Sequence, residues 1–206
     1  MSEGDFFSDE AKRATAAAVR SAEAQTSAEI VVAVRKSSGH YGVLAYHFGF
    51  GFAVAVVAYL LLAPTVYSVG AIALDAAVAF VLGSLLAANL DTVQRTLSRA
   101  ATLDVNVNAA ARAAFFDLGI SRTSGRTGLL VYVSLFERRC VVLTDIGVDA
   151  TGLGSRFVDS QRDLVRAVKH RDLALFQRAV AGLGSVLGEA HPRSQDDVNE
   201  LPDEVQ

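Results

Sequence analysis

The stretch YGVLAYHFGFGFAVAVVAYLLLAPTVYSVGAIALDAAVAFVLGSLLAANL, Tyr41 to Leu90, carries one formal charge, Asp75, and one other group that titrates near neutrality, His47. Tyr41 to Ala63 offers about 23 residues, roughly 34 Å of helix, against a hydrocarbon core of about 30 Å. Pro64 and Thr65 interrupt the run. Val66 to Leu90 then gives a second span of about 25 residues, with length to spare for tilt. The competing explanation is a helical pair buried in a soluble core. A chain of 206 residues is too small to wrap two helices of this length that are apolar on every side. The expectation is a transmembrane hairpin, 41–63 and 66–90.

The flanking charges orient it. Arg35 and Lys36 precede the first span, Arg95 and Arg99 follow the second, and the Pro64 turn has neither lysine nor arginine. The positive-inside rule places both chain ends in the cytoplasm. Tyr41, Tyr46, Tyr59 and Tyr67 fall where interfacial aromatics belong. Met1 to Glu10 is acidic and polar, without a signal-peptide layout. The expected location is the inner membrane, with the soluble domain and both termini cytoplasmic. Asp75 is the intramembrane polar residue: a carboxylate at a span centre costs about 2.5–3.5 kcal/mol on insertion scales and looks for protein or water. Tyr59 or a second copy of the chain are its candidate partners. His47 lies too far down the first helix to meet it.

Outside this block the composition is that of an ordinary soluble domain. The chain as a whole has net charge −3 and 51% hydrophobic residues, with mean hydropathy +0.34 and pI near 5.8. With no basic stripe, nucleic acid is not an expected partner. The single cysteine, Cys140, cannot form an internal disulfide. The histidines at 40, 47, 170 and 191 lack ligand spacing, which argues against zinc. Gly49-Phe50-Gly51 and Gly152-Leu153-Gly154 have no following lysine and are too short for a phosphate loop.

Ser8 to Gln25 has helical periodicity, with Ser8 as N-cap and Ala11, Ala14, Ala18, Val19 and Ala22 on one small-residue face. Ala28 to Val34 reads as a strand. Thr92 to Ala101 reads as a polar continuation of the second span along the membrane surface. A helix follows over Val105–Leu118, with Val107, Ala111, Ala114, Phe115 and Leu118 on one face and Gly119 as its stop. Thr127–Leu135 is almost wholly apolar and should be a central strand covered on both faces. Phe136-Glu137 turns the chain into an antiparallel third strand, Arg138–Asp145. Helices are expected over Asp159–Val168 and Leu173–Leu187. A lone strand is unstable in water, so the first should join the sheet of the other two. The soluble domain is thus discontinuous, residues 1–40 and 91–190, with the hairpin inserted at 41–90. Residues 191–206 should form a disordered acidic tail.

One run of residues has a familiar pattern: Ala110-Ala111, Phe115, the loop Arg122-Thr123-Ser124-Gly125-Arg126-Thr127-Gly128, the strand Leu129–Leu135, Glu137-Arg138-Arg139, and Thr144-Asp145-Ile146-Gly147-Val148. It resembles the TPM domain family, which includes thylakoid-lumen proteins of photosystem repair and many bacterial membrane proteins. The resemblance covers residues 105–149 and extends loosely to Ala28–Val34. It implies an α/β fold, an α/β/α sandwich around a small mixed sheet. It also implies weak acid-phosphatase activity or divalent-metal binding through acidic residues at strand ends, and of these Asp145 alone matches squarely. Members that carry a signal peptide work outside the cytoplasm, and the flanking charges here point inward instead.

Three sites follow. Asp145 and Asp149, beside Gly147, form a candidate Ca²⁺ or Mg²⁺ site built on oxygen ligands, though they lack the middle ligand and the distal glutamate of an EF-hand. The competing role is a carboxylate that caps its own turn. Arg122, Arg126, Arg138 and Arg139 are candidates for binding an anion or lipid headgroup. Ser134 has no histidine and acid in a triad arrangement, and Cys140 reads as a small core residue. The expected function is non-enzymatic: a membrane-tethered module that binds another membrane protein, or its own copy, in assembly or maintenance. The rival is a weak metal-assisted phosphatase using Asp145.

Overall fold

A computed structural model of the chain describes residues 4–193, 200, 201 and 205. The chain divides into two units: residues 1–38 together with 104–206, and residues 39–103.

In the first unit, a short helix α1 (Gly4–Phe7) leads into α2 (Asp9–Glu23), whose N-cap Ser8 Oγ accepts the Ala11 N–H at 3.1 Å. Ala11, Thr15, Ala16, Ala18, Val19 and Ala22 are its buried residues; Ala14 is exposed and Thr15 takes the place expected for it. Strands β1 (Ile30–Arg35), β2 (Leu129–Ser134) and β3 (Arg139–Thr144) form a mixed sheet in the order β1-β2-β3. β1 runs parallel to β2, with Val32 opposite Val131, and β3 runs antiparallel, with Val142 on the other side of Val131. Every residue of β2 is buried, as a central strand between two helical layers requires.

The two layers divide the strand residues by parity. Ile30, Val32, Val34, Leu129, Val131 and Val133 pack with α2, α7 (Gly154–His170) and α8 (Leu173–Ala190). Val31, Ala33, Leu130 and Tyr132 pack on the other face with Val107, Ala111, Ala114 and Phe115 of α6 (Ala100–Asp117). Each large apolar side chain so buried contributes about 1.5–3 kcal/mol, and the two clusters together hold the α/β/α sandwich. α6 stops at Gly119, whose φ of 71° is one that glycine adopts without strain. On the α2 side, Phe6 meets Phe176 edge-on at 5.9 Å between centroids.

Of the segment 191–206, residues 194–199, 202–204 and 206 lie outside the described residues, so the expected disorder is not addressed there. Glu200, Leu201 and Val205 are placed against the domain: Leu201 and Val205 pack on the two core clusters, and the Glu200 carboxylate accepts the Ser124 N–H at 2.9 Å.

In the second unit, α3 (Gly42–Leu62) and α4 (Val69–Asn89) are each 21 residues long and apolar enough to cross a membrane. α4 begins three residues later than the sequence suggests, because Ser68 caps it through Ala71 N–H at 3.2 Å. The two helices pack antiparallel. Ala45 and Gly49 of α3 and Ala79, Gly83 and Ala87 of α4 are their buried residues, small side chains four apart that let backbones approach closely. A Cβ at Gly83 would lie 3.1 Å from Gly49 Cα. The polar continuation expected over Thr92–Ala101 is not continuous. The helix breaks at Leu90 (φ −113°, ψ 93°) and restarts as α5 (Asp91–Leu97). Gln94 ties the break by donating to the carbonyls of Ala87 at 3.1 Å and Ala88 at 3.0 Å.

Candidate functional site

The parallel strands β1 and β2 end side by side at Arg35 and Ser134. In α/β sheets ligands favour the crevice beyond the carboxyl ends of parallel strands, and here that edge is polar. The β2–β3 turn presents Glu137, 1% exposed. Its Oε1 accepts the Ser38 backbone N–H at 2.8 Å and the Ser37 Oγ–H at 3.3 Å, and its Oε2 accepts from Ser134 Oγ. Ser38 Oγ donates to Ser134 Oγ at 2.7 Å and lies 3.0 Å from Tyr132 Oη.

A hydroxyl has one proton to give. Ser134 spends its proton on Glu137, and Ser38 spends its own on Ser134. Tyr132 is therefore the donor to Ser38, and the chain of hydroxyls runs Tyr132, Ser38, Ser134, Glu137, polarised towards the carboxylate. A cleft of about 270 Å³ opens beside it, lined by Arg35, Ser38 and Tyr132, by Ala113 and Asp117 of α6 and by Leu118 just after it, among others.

None of these polar residues was a candidate in the sequence. Ser134 has no triad arrangement of histidine and acid in the sequence; in the fold it donates to Glu137, three residues on across a turn. Arg138 adopts the left-handed φ of 54° in that turn. Ser37 and Ser38 are nearly a hundred residues distant in sequence, so no local pattern points to them.

Of the candidate residues, Arg138 and Arg139 follow Glu137 directly at this end of the sheet, and the others lie elsewhere. Asp145 is buried at the opposite end of the sheet, gripped by Arg126: Nε to Oδ2 at 2.7 Å and the terminal nitrogen to Oδ1 at 3.1 Å. Ile146 N–H adds a third bond to Oδ1 at 2.8 Å. The Arg126 hydrogen bond holds the Asp145 carboxyl below its ordinary range, against the opposing effect of burial, with help from Ile146 N–H and the guanidinium charge. Asp149 Oδ1 accepts the N–H groups of Thr151 at 3.1 Å and Gly152 at 3.0 Å, a carboxylate capping its own turn. Gly147 does not open the backbone to a ligand: a Cβ there would sit 2.5 Å from the Arg126 carbonyl oxygen, so the chain's own loop fills the space. Among the described residues no three His, Cys, Asp or Glu side chains converge as metal ligands. A guanidinium seated on Asp145 opposes a second cation electrostatically, and this pair does not fit Ca²⁺ or Mg²⁺.

The four arginines do not form one site. Arg126 stands before β2 and Arg138 and Arg139 follow it, so the length of β2, about 17 Å at roughly 3.3 Å per residue, separates them. Arg126 is committed to Asp145, and Arg139 Nε pairs with Asp104 at 2.6 Å. Arg122 is exposed in the turn Ile120–Arg122.

In the helical unit Asp75 is exposed in the second turn of α4 and makes no hydrogen bond or ion pair among the described residues, with Tyr59 or otherwise. His47 Nδ1 sits 2.8 Å from the Val43 carbonyl oxygen, a bond within its own helix.

No protein-family model matches the chain, and no curated protein matches it. Among solved structures it is similar to the NMR structure of the BA42 protein from the psychrophilic bacterium Bizionia argentinensis. That likeness is 16% identical and covers 96% of this chain and 92% of the other, with a TM-score of 0.57. At that identity it shows the fold alone.

Proposed function

We propose that the chain is a membrane-anchored, TPM-like α/β module that binds another membrane protein, or its own copy, and assists its assembly or maintenance without performing chemistry. The supporting observation is the state of Asp145: both carboxylate oxygens are held by Arg126 and one also by Ile146 N–H. That leaves the strand-end acid of the phosphatase alternative engaged in structure. Two helices of 21 residues, apolar enough to span, with cationic residues at the entry and exit, support an anchor in the bilayer with both chain ends in the cytoplasm.

The test uses the full chain in detergent, assayed on a generic phosphomonoester with and without Mg²⁺ or Ca²⁺, beside Asp145→Asn. No turnover and no metal-induced rise in melting temperature is the expected result. Metal-dependent turnover lost in Asp145→Asn would establish the phosphatase instead.

A further inference from the structure

The cleft beside the hydroxyl chain carries two opposite charges that do not meet. Arg35 and Asp117 both line it. They form no ion pair with each other or with any described residue; the sole side-chain bond of Arg35 is a long one, 3.5 Å, to the carbonyl of Val34. Both side chains are exposed. The two charges are carried by different elements, Arg35 at the end of β1 and Asp117 at the end of α6.

The third polar element is Tyr132. Because its proton goes to Ser38, its oxygen has lone pairs alone to offer a ligand. The lining of the cleft therefore includes a donor cation, Arg35, and two groups able to accept, Asp117 and Tyr132. Part of the lining is apolar, with Ala113 of α6 and Leu118 just after it, and alanine leaves the room that a larger residue would fill. At about 270 Å³ the space lies just below the range for drug-sized ligands and suits a group of a few heavy atoms.

We propose that this cleft binds a small zwitterion, an ammonium joined through a short spacer to a carboxylate or phosphate. Arg35 takes the anion with its planar fork. Asp117 and the Tyr132 oxygen accept from the ammonium. The hydroxyl chain to Glu137 fixes the direction of the Tyr132 proton, so that the oxygen cannot turn donor. Two sources share this chemistry, a free amino acid and a phosphoethanolamine headgroup. The proposal rests on residues distinct from Asp145 and stands whether or not the chain has phosphatase activity.

Calorimetric titration of the full chain in detergent tests it, with glycine and phosphoethanolamine as zwitterions and ethylamine and inorganic phosphate as the separate halves. At least one zwitterion is expected to bind ten times or more tightly than either half. Arg35→Gln and Asp117→Asn should each weaken it at least tenfold, and Tyr132→Phe should weaken it less. Both charged side chains are exposed, so unchanged melting temperatures will show that the first two variants are folded. Preference for glycine identifies an amino acid as the source. Preference for phosphoethanolamine, with tighter competition from nanodiscs containing phosphatidylethanolamine, identifies the headgroup. No binding by either zwitterion, equal binding by phosphate alone, or undiminished binding by the two charge variants overturns the proposal.

Discussion

The carboxylate of Glu137, in the β2–β3 turn, accepts the backbone N–H of Ser38 at 2.8 Å from 99 residues away. That bond closes the end of the parallel pair, since Ser38 follows β1 and Glu137 follows β2. It also gives a buried acid the donors that burial demands.

Replacing Glu137 with Ala should therefore cost far more than a surface change. The Ser38 N–H and the Ser37 and Ser134 hydroxyls would lose their acceptor, and each buried donor left unsatisfied costs about 1–3 kcal/mol. A marked fall in the thermal midpoint for unfolding of the α/β unit, followed by circular dichroism in detergent, is the expected outcome. A shift as small as that of an exposed-site control such as Glu10→Ala would refute it.

Asp145 predicts a pH dependence. Its folded pKa is depressed, first by the Arg126 hydrogen bond. The stability it confers is thus fully present above the ordinary aspartate value of about 3.9 and is lost as pH falls through the lower folded value. Asp145→Asn should be less stable than the parent at pH 7. The gap between their melting temperatures should narrow as the medium is taken below about pH 4. A gap constant from pH 7 to pH 2.5 would show that the ion pair is not its source.

The helix crossing predicts a contrast between two glycines. A Cβ at Gly49 would meet the Phe80 carbonyl oxygen at 2.6 Å, whereas one at Gly51 would meet nothing within 4 Å. Gly49→Ala should loosen the hairpin, with overpacking costing about 1–3 kcal/mol. Gly51→Ala should leave it intact. Disulfide trapping between cysteines placed on α3 and α4, in a Cys140→Ala background, will report the difference, and equal trapping in both variants would contradict the crossing.

Burial pushes the Cys140 thiol up to about 12, so thiolate is scarce at neutral pH and the sulfur is out of reach. A disulfide reagent at pH 8 should label the native chain slowly and the denatured chain at once. Rapid native labelling would mean that β3 opens readily.

The proposed hairpin anchor predicts that cysteines introduced singly at Lys36 and Arg95 react with an impermeant maleimide from the same side of sealed vesicles. Opposite accessibility would remove the hairpin topology.

Several of these features were legible residue by residue. Ser8 announces the start of α2 because a short polar side chain there can take the Ala11 N–H. Gly119 announces the end of α6 because its backbone must turn left-handed. The almost wholly apolar run of β2, followed by the Phe136-Glu137 turn, marks the antiparallel pair, and the uncharged run marks α3 and α4. The small-residue seam of Gly49 and Gly83 was also in view, as alanines and glycines spaced by four, but went unread among so many other small residues. The candidate sites fared differently. Asp145 and the arginines were noticed for their charge, and charge does not say whether a partner is already present. Arg126 lies 19 residues from Asp145 in the chain and arrives only once β2 and β3 have paired.

The sandwich around a small mixed sheet is what the resemblance implies, while from composition and periodicity alone come the two apolar helices, the strands and a central strand covered on both faces. Each of these depends on which neighbours along a few turns of chain prefer water, and that preference is local. The locking of Asp145 by Arg126 depends on β2 pairing with β3, and the meeting of Ser38 with Glu137 depends on β1 lying parallel to β2 across an interval of some ninety residues. Parallel pairing brings together groups with no fixed spacing in sequence, so it took the folded chain to determine them.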